Sequence, residues 1–386
     1  MRLSKLPEKF HIHSGGGERQ FPPPAALTPQ SSFDEILAFA RESGASDVHV
    51  VSRSPIVLRK FGSLISAGKD ILDGGNIEAM LQDGLPADQW VQAKATGDTE
   101  FVHAISGYGR FRVTVMRQHF GWDWVARVID QNIRSVSESG LPRCCESLTK
   151  WAQGLVLVAG PAGCGKSSTL ATLVEMINQT RWDHIITIEN PIEIIYEPKR
   201  CQITQRQVNL HTLSQANALR AALREDPDVM IVSELRDLES IQLAVTAAET
   251  GHLVFGTMNT NDAAQTVTSL INSFPPDEQT IIASMISESL RGVICQQLIP
   301  RVDGQSMVAA YEVLVMNVAA ANMIRSGRTK QLNYAIAMGK NDGMVLLDHS
   351  LKDLVDQLLI SGEEAYNRAI NPSLFASYLE SGGPVG

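Results

Sequence analysis

The pattern of hydrophobic and polar positions becomes regular only about thirty residues into the chain. Residues 1–30 are polar and irregular, with a run of three glycines and a run of three prolines. Both runs oppose helix and strand, and they predict a flexible leader. An amphipathic helix is predicted next, behind Ser31 and Ser32 as possible caps, and Gly44 is expected to end it. Its apolar positions are Phe33, Ile36, Leu37 and Ala40.

Short segments that alternate apolar and polar residues follow the first helix. The segments 48–51, 56–59 and 111–115 are typical of strands. Together with the helix they predict a small α+β domain over residues 31–135. The Gly-Leu-Pro sequence that begins at Gly140 interrupts the pattern and predicts a linker over 136–148.

From residue 149 to 310 apolar strand-like runs alternate with helical patterns, which is typical of a parallel sheet flanked by helices. The predicted strands are 155–159, 185–188, 229–232 and 253–257. Glu288, Arg291 and Gln296-Gln297 are expected to lie in a helix and to flank the core at the surface. Beyond Pro300 the periodicity is helical, and it predicts a helical C-terminal region over 311–386.

Composition and charge narrow the classes of function. A chain of 386 residues with 44% hydrophobic and 19% charged residues is ordinary for a globular protein of two or three domains. Neither an apolar run of transmembrane length nor a signal peptide is found, which predicts a cytoplasmic protein. Five cysteines without a C-x-x-C motif indicate neither a disulfide framework nor a zinc ribbon. The net charge of -9 argues against a general nucleic-acid partner.

A complete phosphate-binding loop, GPAGCGKS, spans residues 160–167. It follows an apolar strand-like run and precedes a helical pattern, which is the context that such a loop requires. Glycines allow backbone N–H groups to curl around phosphates, the lysine reaches the β and γ oxygens, and the serine can hold Mg²⁺. A nucleoside triphosphate and Mg²⁺ are therefore the expected cofactors. The residues expected to bind nucleotide are Gly160, Gly163, Cys164, Gly165, Lys166, Ser167 and Ser168, with Cys164 read as a small filler rather than a redox switch.

Acidic residues follow two of the predicted strands. Glu234 ends the run that begins at Asp228, and it can orient Mg²⁺ or polarise the attacking water; the alternative is a solvated strand cap. Glu189 and Glu193 follow the strand 185–188, beside the expected nucleotide; the alternative is a turn with surface acids. Alternation along a strand also places Arg110 and Arg112 on one face, and Arg127 follows on a second strand.

These motifs together resemble the secretion and pilus motor ATPases, the type II/IV secretion traffic ATPases. The similarity spans about residues 32–371 and is nearest the PilT retraction branch and the DotB/TraJ-like ATPases of type IVB secretion and conjugation. The segment 320–325, AANMIR, resembles a retraction-type motif, and the tetracysteine insert of many assembly-type relatives is absent. The other matching segments are GASDVHV, GRFRVTVMRQ, GPAGCGKSSTL, ITIENPIE, ALREDPDVMIVSELRD, TAAETGHLVFGT and LLDHSLKDLVDQLLISGEEA.

The resemblance implies a RecA-like P-loop domain with a mainly parallel sheet, preceded by a PAS-like α+β domain. It implies a homohexamer that is associated peripherally with the inner membrane through components of a secretion, conjugation or pilus complex. Glu234 matches the second acidic motif, Glu189 and Glu193 match the aspartate box, and His252 matches the histidine box. The resemblance implies catalytic roles for these four residues. The arginines of the family approach the phosphates at a domain or subunit junction, which implies such a role for Arg110, Arg112 and Arg127; the alternative is salt bridging to surface acids.

Two positions depart from the family pattern. Asn190 stands where the aspartate box usually has aspartate, and Asn259 stands where a second histidine is common. Asparagine can donate and accept hydrogen bonds but can neither carry negative charge nor act as a base. We expect Glu234 to position the water and Asn259 to act as a neutral sensor of the γ-phosphate.

Three functions are compatible with these residues. The first is a hexameric motor that hydrolyses ATP, and the second is a nucleotide-gated docking scaffold with weak or no hydrolysis, which the two asparagines suggest. The third, a RecA-like DNA translocase, is the least supported, because the chain is acidic and lacks a basic aromatic stripe. No direct contact with nucleic acid is expected.

Overall fold

A computed structural model describes residues 27–304 and 306–380. Most of the predicted leader, residues 1–26, lies outside the described residues, as do residues 381–386 of the predicted C-terminal region. The described chain forms two sheets, one antiparallel and one mainly parallel, each with its own helices. Within the described ranges no helix combines the length and the apolar character needed to cross a bilayer.

The N-terminal sheet has six strands in the order β3-β2-β1-β6-β5-β4, and all neighbours are antiparallel. The Ser32 hydroxyl and the Glu35 carboxylate form a capping box at the start of the first helix. The sheet packs on its helices around Phe33, Phe111 and Trp124, which are fully buried. Its strands are β1 Asp47–Val50, β2 Val57–Lys60, β3 Ser63–Ser66, β4 Asp98–Ile105, β5 Gly109–Gln118 and β6 Gly121–Ile129, and its helices are α1 Phe33–Glu42, α2 Gly74–Gly84 and α3 Ala87–Thr96.

The second sheet has seven strands in the order β13-β12-β7-β11-β10-β8-β9. Only the β12–β13 pair is antiparallel. All residues of β7, β10 and β11 are buried, as expected for strands covered by helices on both faces. The strands are β7 Gly154–Ala159, β8 His184–Glu189, β9 Gln202–Gln207, β10 Val229–Val232, β11 Leu253–Met258, β12 Leu290–Pro300 and β13 Met307–Val315.

Helices cover both faces of this sheet and continue to the end of the described chain. The short helices α4 Val136–Ser139 and α5 Cys145–Leu148 lie in the predicted linker. The others are α6 Lys166–Thr180, α7 Gln215–Ala222, α8 Leu238–Glu249, α9 Ala263–Asn272, α10 Gln279–Ser289, α11 Val318–Arg325, α12 Leu332–Met338, α13 Leu347–Asp356, α14 Gly362–Arg368 and α15 Ala376–Glu380, with single 3₁₀ turns at Thr329–Gln331, Gly339–Asp342 and Pro372–Phe375.

The predicted fold class is confirmed, and two local expectations are wrong. The stretch that holds Arg291 and Gln296 is strand β12 instead of a helix, because it completes the sheet between β7 and β13. The region predicted to be helical beyond Pro300 contains strand β13, which pairs along its whole length with β12. The helices of this region therefore begin later than predicted. The domain boundaries drawn from the sequence stay a prediction.

Candidate active site

The phosphate loop connects β7 to α6, and its glycines are required by the backbone. Gly160, Gly163 and Gly165 have φ values of 146°, 78° and 93°, which side chains other than glycine rarely adopt. A Cβ on Gly160 would lie 2.4 Å from the carbonyl oxygen of Gln296 and 2.5 Å from the Sγ of Cys164. The loop therefore keeps its curl only with glycine at these positions.

The helix that follows directs its free N–H groups toward the loop. α6 begins at Lys166, and Ser167 and Ser168 are exposed in its first turn. The first N–H groups of a helix lack intrahelical acceptors and attract anions. Cys164 is buried inside the loop, and desolvation raises the pKa of its thiol. That environment supports its interpretation as a small filler.

A chain of polar contacts links the loop lysine to Glu234, the acid after β10. The Lys166 Nζ donates to the carbonyl oxygens of Gly160 at 2.7 Å and Pro161 at 3.0 Å, and to the Asn259 Oδ1 at 2.9 Å. The Asn259 Nδ2 donates to the Glu234 Oε1 at 2.6 Å. Arg236 completes the chain with an Nε at 2.6 Å from the same carboxylate oxygen. Asn259 thus uses both ends of its amide, and one neutral side chain connects a cation to an anion.

The topology explains why these residues meet. β7, β11 and β10 are adjacent parallel strands, and the residues after their carboxyl ends include the phosphate loop, Asn259 and Glu234. Ligands of open parallel sheets bind at this edge. The Glu234 backbone carbonyl is held by the side chain of Gln215, which donates at 2.8 Å from α7.

The two acids at the carboxyl end of β8 and in the loop after it lie in a cleft beside the loop helix. Thr187 and Gln205 donate to the Glu189 carboxylate at 2.6 Å and 3.0 Å, yet desolvation by the surrounding protein raises its pKa. Ser167, Glu189 and Glu193 line one cleft together with Tyr196 and Ser233. Asn190 is exposed between the two acids. The structure therefore brings the expected Mg²⁺ serine and the aspartate-box acids to the same opening.

The three arginines lie on one face of the N-terminal sheet. Arg112 is the direct cross-strand partner of Arg127, and Arg110 lies two residues away on β5. Arg110 donates to the Ile192 and Glu193 carbonyl oxygens at 2.9 Å and 3.1 Å, and desolvation lowers its pKa.

Arg112 and Arg127 both form ion pairs within the chain. Arg112 binds Glu100 at 2.5 Å and reaches Glu193 at 3.4 Å. Arg127 pairs with Asp47 at 2.9 Å and is about half exposed. Arg110 and Arg112 thus connect the N-terminal sheet to the loop after β8, whereas Arg127 contacts an acid of its own sheet.

The structure does not bring His252 to this site. It precedes β11, whose six residues separate it from the loop edge by about 20 Å at the rise of a strand. Its Nδ1 lies 3.1 Å from the Ala247 carbonyl oxygen at the end of α8. A direct catalytic role on a nucleotide bound to the same chain, as the resemblance implied, is not supported by this position.

Gln296 contacts the phosphate loop, and the prediction that it lies in a helix at the surface is wrong. It is buried, its Nε2 donates to the Cys164 carbonyl oxygen, and its Oε1 accepts from the Thr169 hydroxyl at 2.5 Å. A Cβ on Gly165 would lie 2.8 Å from its Nε2. The signal available in the sequence is a glutamine directly after the apolar run 292–295.

A phosphate loop at the carboxyl edge of a parallel sheet, with a carboxylate after another strand at the same edge, defines the class of P-loop nucleotide-binding proteins. The family model described as "Type II/IV secretion system protein" matches residues 28–344. The chain belongs to this family of secretion system proteins, which confirms the resemblance read from its motifs.

Similar proteins include the type IV pilus retractation ATPase PilT of Pseudomonas aeruginosa, 41% identical over 88% of this chain and 99% of the relative. The twitching motility protein of Neisseria gonorrhoeae is 45% identical over 71% of this chain and 73% of the relative. Among solved structures, the pilus retraction motor PilT with bound ADP superposes with a TM-score of 0.77 at 35% identity, covering 89% of this chain and 99% of that one. The ATPase DotB of Legionella pneumophila gives 0.77 at 26%, with 89% and 96% covered.

Proposed function

We propose that the chain is an ATP-hydrolysing motor that assembles as a homohexameric ring and powers a membrane-embedded type IV secretion, conjugation or type IV pilus machine. It acts in the cytoplasm, held at the inner membrane by components of that machine. The observation that carries the proposal is the connected set Lys166, Asn259 and Glu234 at the carboxyl edge of the sheet. The ATPase activity is that of the family, whose similar members are named ATPases.

The residues present fit ATP and Mg²⁺. The glycine loop has a curled backbone, and the first turn of α6 offers free N–H groups beside the exposed Ser167. The Ser167 hydroxyl and the Glu234 carboxylate supply oxygen ligands, the kind that Mg²⁺ prefers, and Mg²⁺ usually takes its other ligands from phosphates and water. When bound, the ion neutralises charge that develops on the phosphates.

Each residue of the contact chain has a task in hydrolysis. Lys166 exchanges the carbonyl oxygens of its own loop for phosphate oxygens. Glu234 holds and orients the attacking water, in the manner of the water-positioning residues of other P-loop enzymes. Asn259 senses the γ-phosphate through its amide, since it contacts both the lysine and the glutamate. Glu189 and Glu193 shape the cleft next to Ser167, and Arg112 supplies positive charge at the junction of the two sheets.

A docking scaffold with nucleotide-gated assembly and little hydrolysis is the second candidate. The observation that favours it is the presence of Asn190 and Asn259 at positions where aspartate is usual and histidine is common in the family. Neither asparagine can act as a base or carry charge at these positions. In the scaffold, the Lys166–Asn259–Glu234 contacts report nucleotide occupancy without turnover.

Steady-state ATP hydrolysis over a range of protein concentrations separates the two candidates. We expect a rate per subunit that rises with concentration as rings assemble and that is abolished in Lys166→Ala and Glu234→Gln. Lys69→Ala, an exposed lysine on the N-terminal domain, is the matched control. Mass photometry of the same samples measures the oligomer. Tight ATP binding by intact oligomers with background turnover would exclude the motor and leave the scaffold.

A further inference from the structure

Glu312 is a fully buried carboxylate in β13, remote in sequence from every motif of the site. The backbone N–H of Ala263, the first residue of α9, donates to its Oε1 at 2.8 Å. Its other oxygen, Oε2, is buried and has no hydrogen-bond partner among the residues that the structure describes. A buried carboxylate at the start of a helix is stabilised by the free N–H groups there. Glu312 therefore binds the first free N–H group of α9.

The start of α9 is four residues from Asn259, and the intervening loop is held tightly. The hydroxyls of Thr260 and Thr266 are 2.7 Å apart in a buried position. The backbone N–H of Asn261 donates to the Gln265 Oε1 at 3.0 Å, and Asp262 caps the helix by accepting from the Gln265 N–H. A shift of the first turn of α9 therefore moves the backbone on which Asn259 is placed.

The opposite side of Glu312 faces the C-terminal helices. The backbone amide of Leu347, the first residue of α13, favours the ionised form of the carboxyl. Val313, the next residue of β13, exchanges two backbone hydrogen bonds with Val345 in the turn before α13. Glu312 thus lies between the loop that carries Asn259 and the first helix after that turn.

The charges around Glu312 are mixed. Desolvation raises the pKa of Glu312 to about 7, the N–H groups of Ala263 and Leu347 oppose that shift, and the carboxylates of Asp262 on α9 and Asp348 on α13 add to it. Cys295 on β12 is the cross-strand neighbour. Its thiol is buried, and desolvation and the Glu312 charge raise the pKa of that thiol well above its ordinary value.

We propose that Glu312 is a positioning residue that holds the first turn of α9, and through it the loop of Asn259, in register with Lys166 and Glu234. It also joins that loop to the C-terminal helices, so that a displacement of α13 reaches the nucleotide site. The proposal concerns the arrangement of Asn259, and its link to turnover rests on the proposed function.

Hydrogen–deuterium exchange of the full chain tests the positioning directly. Glu312→Gln keeps the size and an acceptor oxygen but removes the charge, and charged hydrogen bonds are about twice as strong as neutral ones. We expect amides within residues 259–266 to exchange about tenfold faster, with little change in the strands β7 and β11. Glu78→Gln, an exposed residue of α2, is the control. Unchanged exchange in 259–266, or a uniform increase across the large sheet, overturns the proposal.

Ala263→Pro removes the donor instead of the acceptor. Proline suits the first position of a helix, and the preceding Asp262 has φ -142° and ψ 165°, which a following proline accepts. We expect the same loosening of residues 259–262, and the double variant with Glu312→Gln to add little to either change. Fully additive effects would mean that the two residues act independently, which contradicts the proposal.

Kinetics then connect the position to turnover. We expect Glu312→Gln to lower kcat about fivefold while KM for ATP changes less than twofold, because ground-state binding by the loop is retained. The wild-type kcat should rise as the pH passes through about 7 and the carboxylate becomes the stronger acceptor, and the variant should lack this rise. If the wild type shows no turnover, the proposed function fails, and hydrogen exchange still decides the role of Glu312. Equal kcat and equal pH profiles in an active wild type and the variant overturn the coupling.

Discussion

Gln296 offers a sharp test of how the phosphate loop is held. Gln296→Leu keeps the approximate size of the side chain and deletes both of its hydrogen bonds. The Cys164 carbonyl oxygen then loses its buried donor, and the Thr169 hydroxyl loses its buried acceptor. Leaving a buried polar group unsatisfied costs about 1–3 kcal/mol. The hydroxyl can rotate to another acceptor within its helix, so we expect a total loss of about 2–4 kcal/mol in the free energy of unfolding.

The matched control is Gln297→Leu, the next residue of β12. It points to the opposite face of the strand and is partly exposed, and none of the described hydrogen bonds joins it to the phosphate loop. Urea unfolding followed by circular dichroism gives the free-energy difference for each variant. Titration with a fluorescent ATP analogue measures the loop itself, and we expect about tenfold weaker binding for Gln296→Leu. If both variants unfold within about 0.5 kcal/mol of each other and bind ATP equally, Gln296 does not support the loop.

Three further predictions concern other parts of the site. Asn259→Ala should lower kcat about tenfold or more with ATP affinity changed less than threefold, and an Asn259→His variant with unchanged turnover would count against a sensor role for the amide. Arg112→Ala should abolish most ATP hydrolysis while retaining nucleotide binding, as measured by turnover and by ATP-analogue titration of the same sample. If Arg112→Ala hydrolyses ATP at the rate of the control variant Arg59→Ala, Arg112 has no role in hydrolysis and only forms ion pairs with Glu100 and Glu193. Glu312 has an ordinary pKa of 4.5 and a folded pKa of about 7, so the unfolded chain loses this proton first as the pH rises. The free energy of unfolding of the wild type should therefore fall by about 3 kcal/mol between pH 4.5 and 7 relative to that of Glu312→Gln. If the free energies of unfolding of the two proteins change equally across this range, the raised pKa of Glu312 is contradicted.

Strong local patterns allowed much of the large sheet to be predicted. The strands β7, β8, β10 and β11 are short apolar runs bounded by polar residues, and the structure places each within one residue of its predicted bounds. The strands β12 and β13 escaped prediction because they lie at the end of the sheet, where one face is partly polar and the hydrophobic period is mixed. The position of Gln296 also escaped prediction, because a buried glutamine gives no apolar signal.

The sequence by itself determined the phosphate loop, the acid after β10 and the strands β7, β8, β10 and β11 of the large sheet, because glycine conformations, strand burial and the helix start depend on neighbouring residues. Only the tertiary structure decided which side chains meet. Parallel pairing of β7, β10 and β11 brings Lys166, Glu234 and Asn259 into contact across 93 residues of chain, and the same pairing leaves His252 at the far edge. Contacts of this kind depend on the order of strands in the sheet, and no local pattern encodes that order.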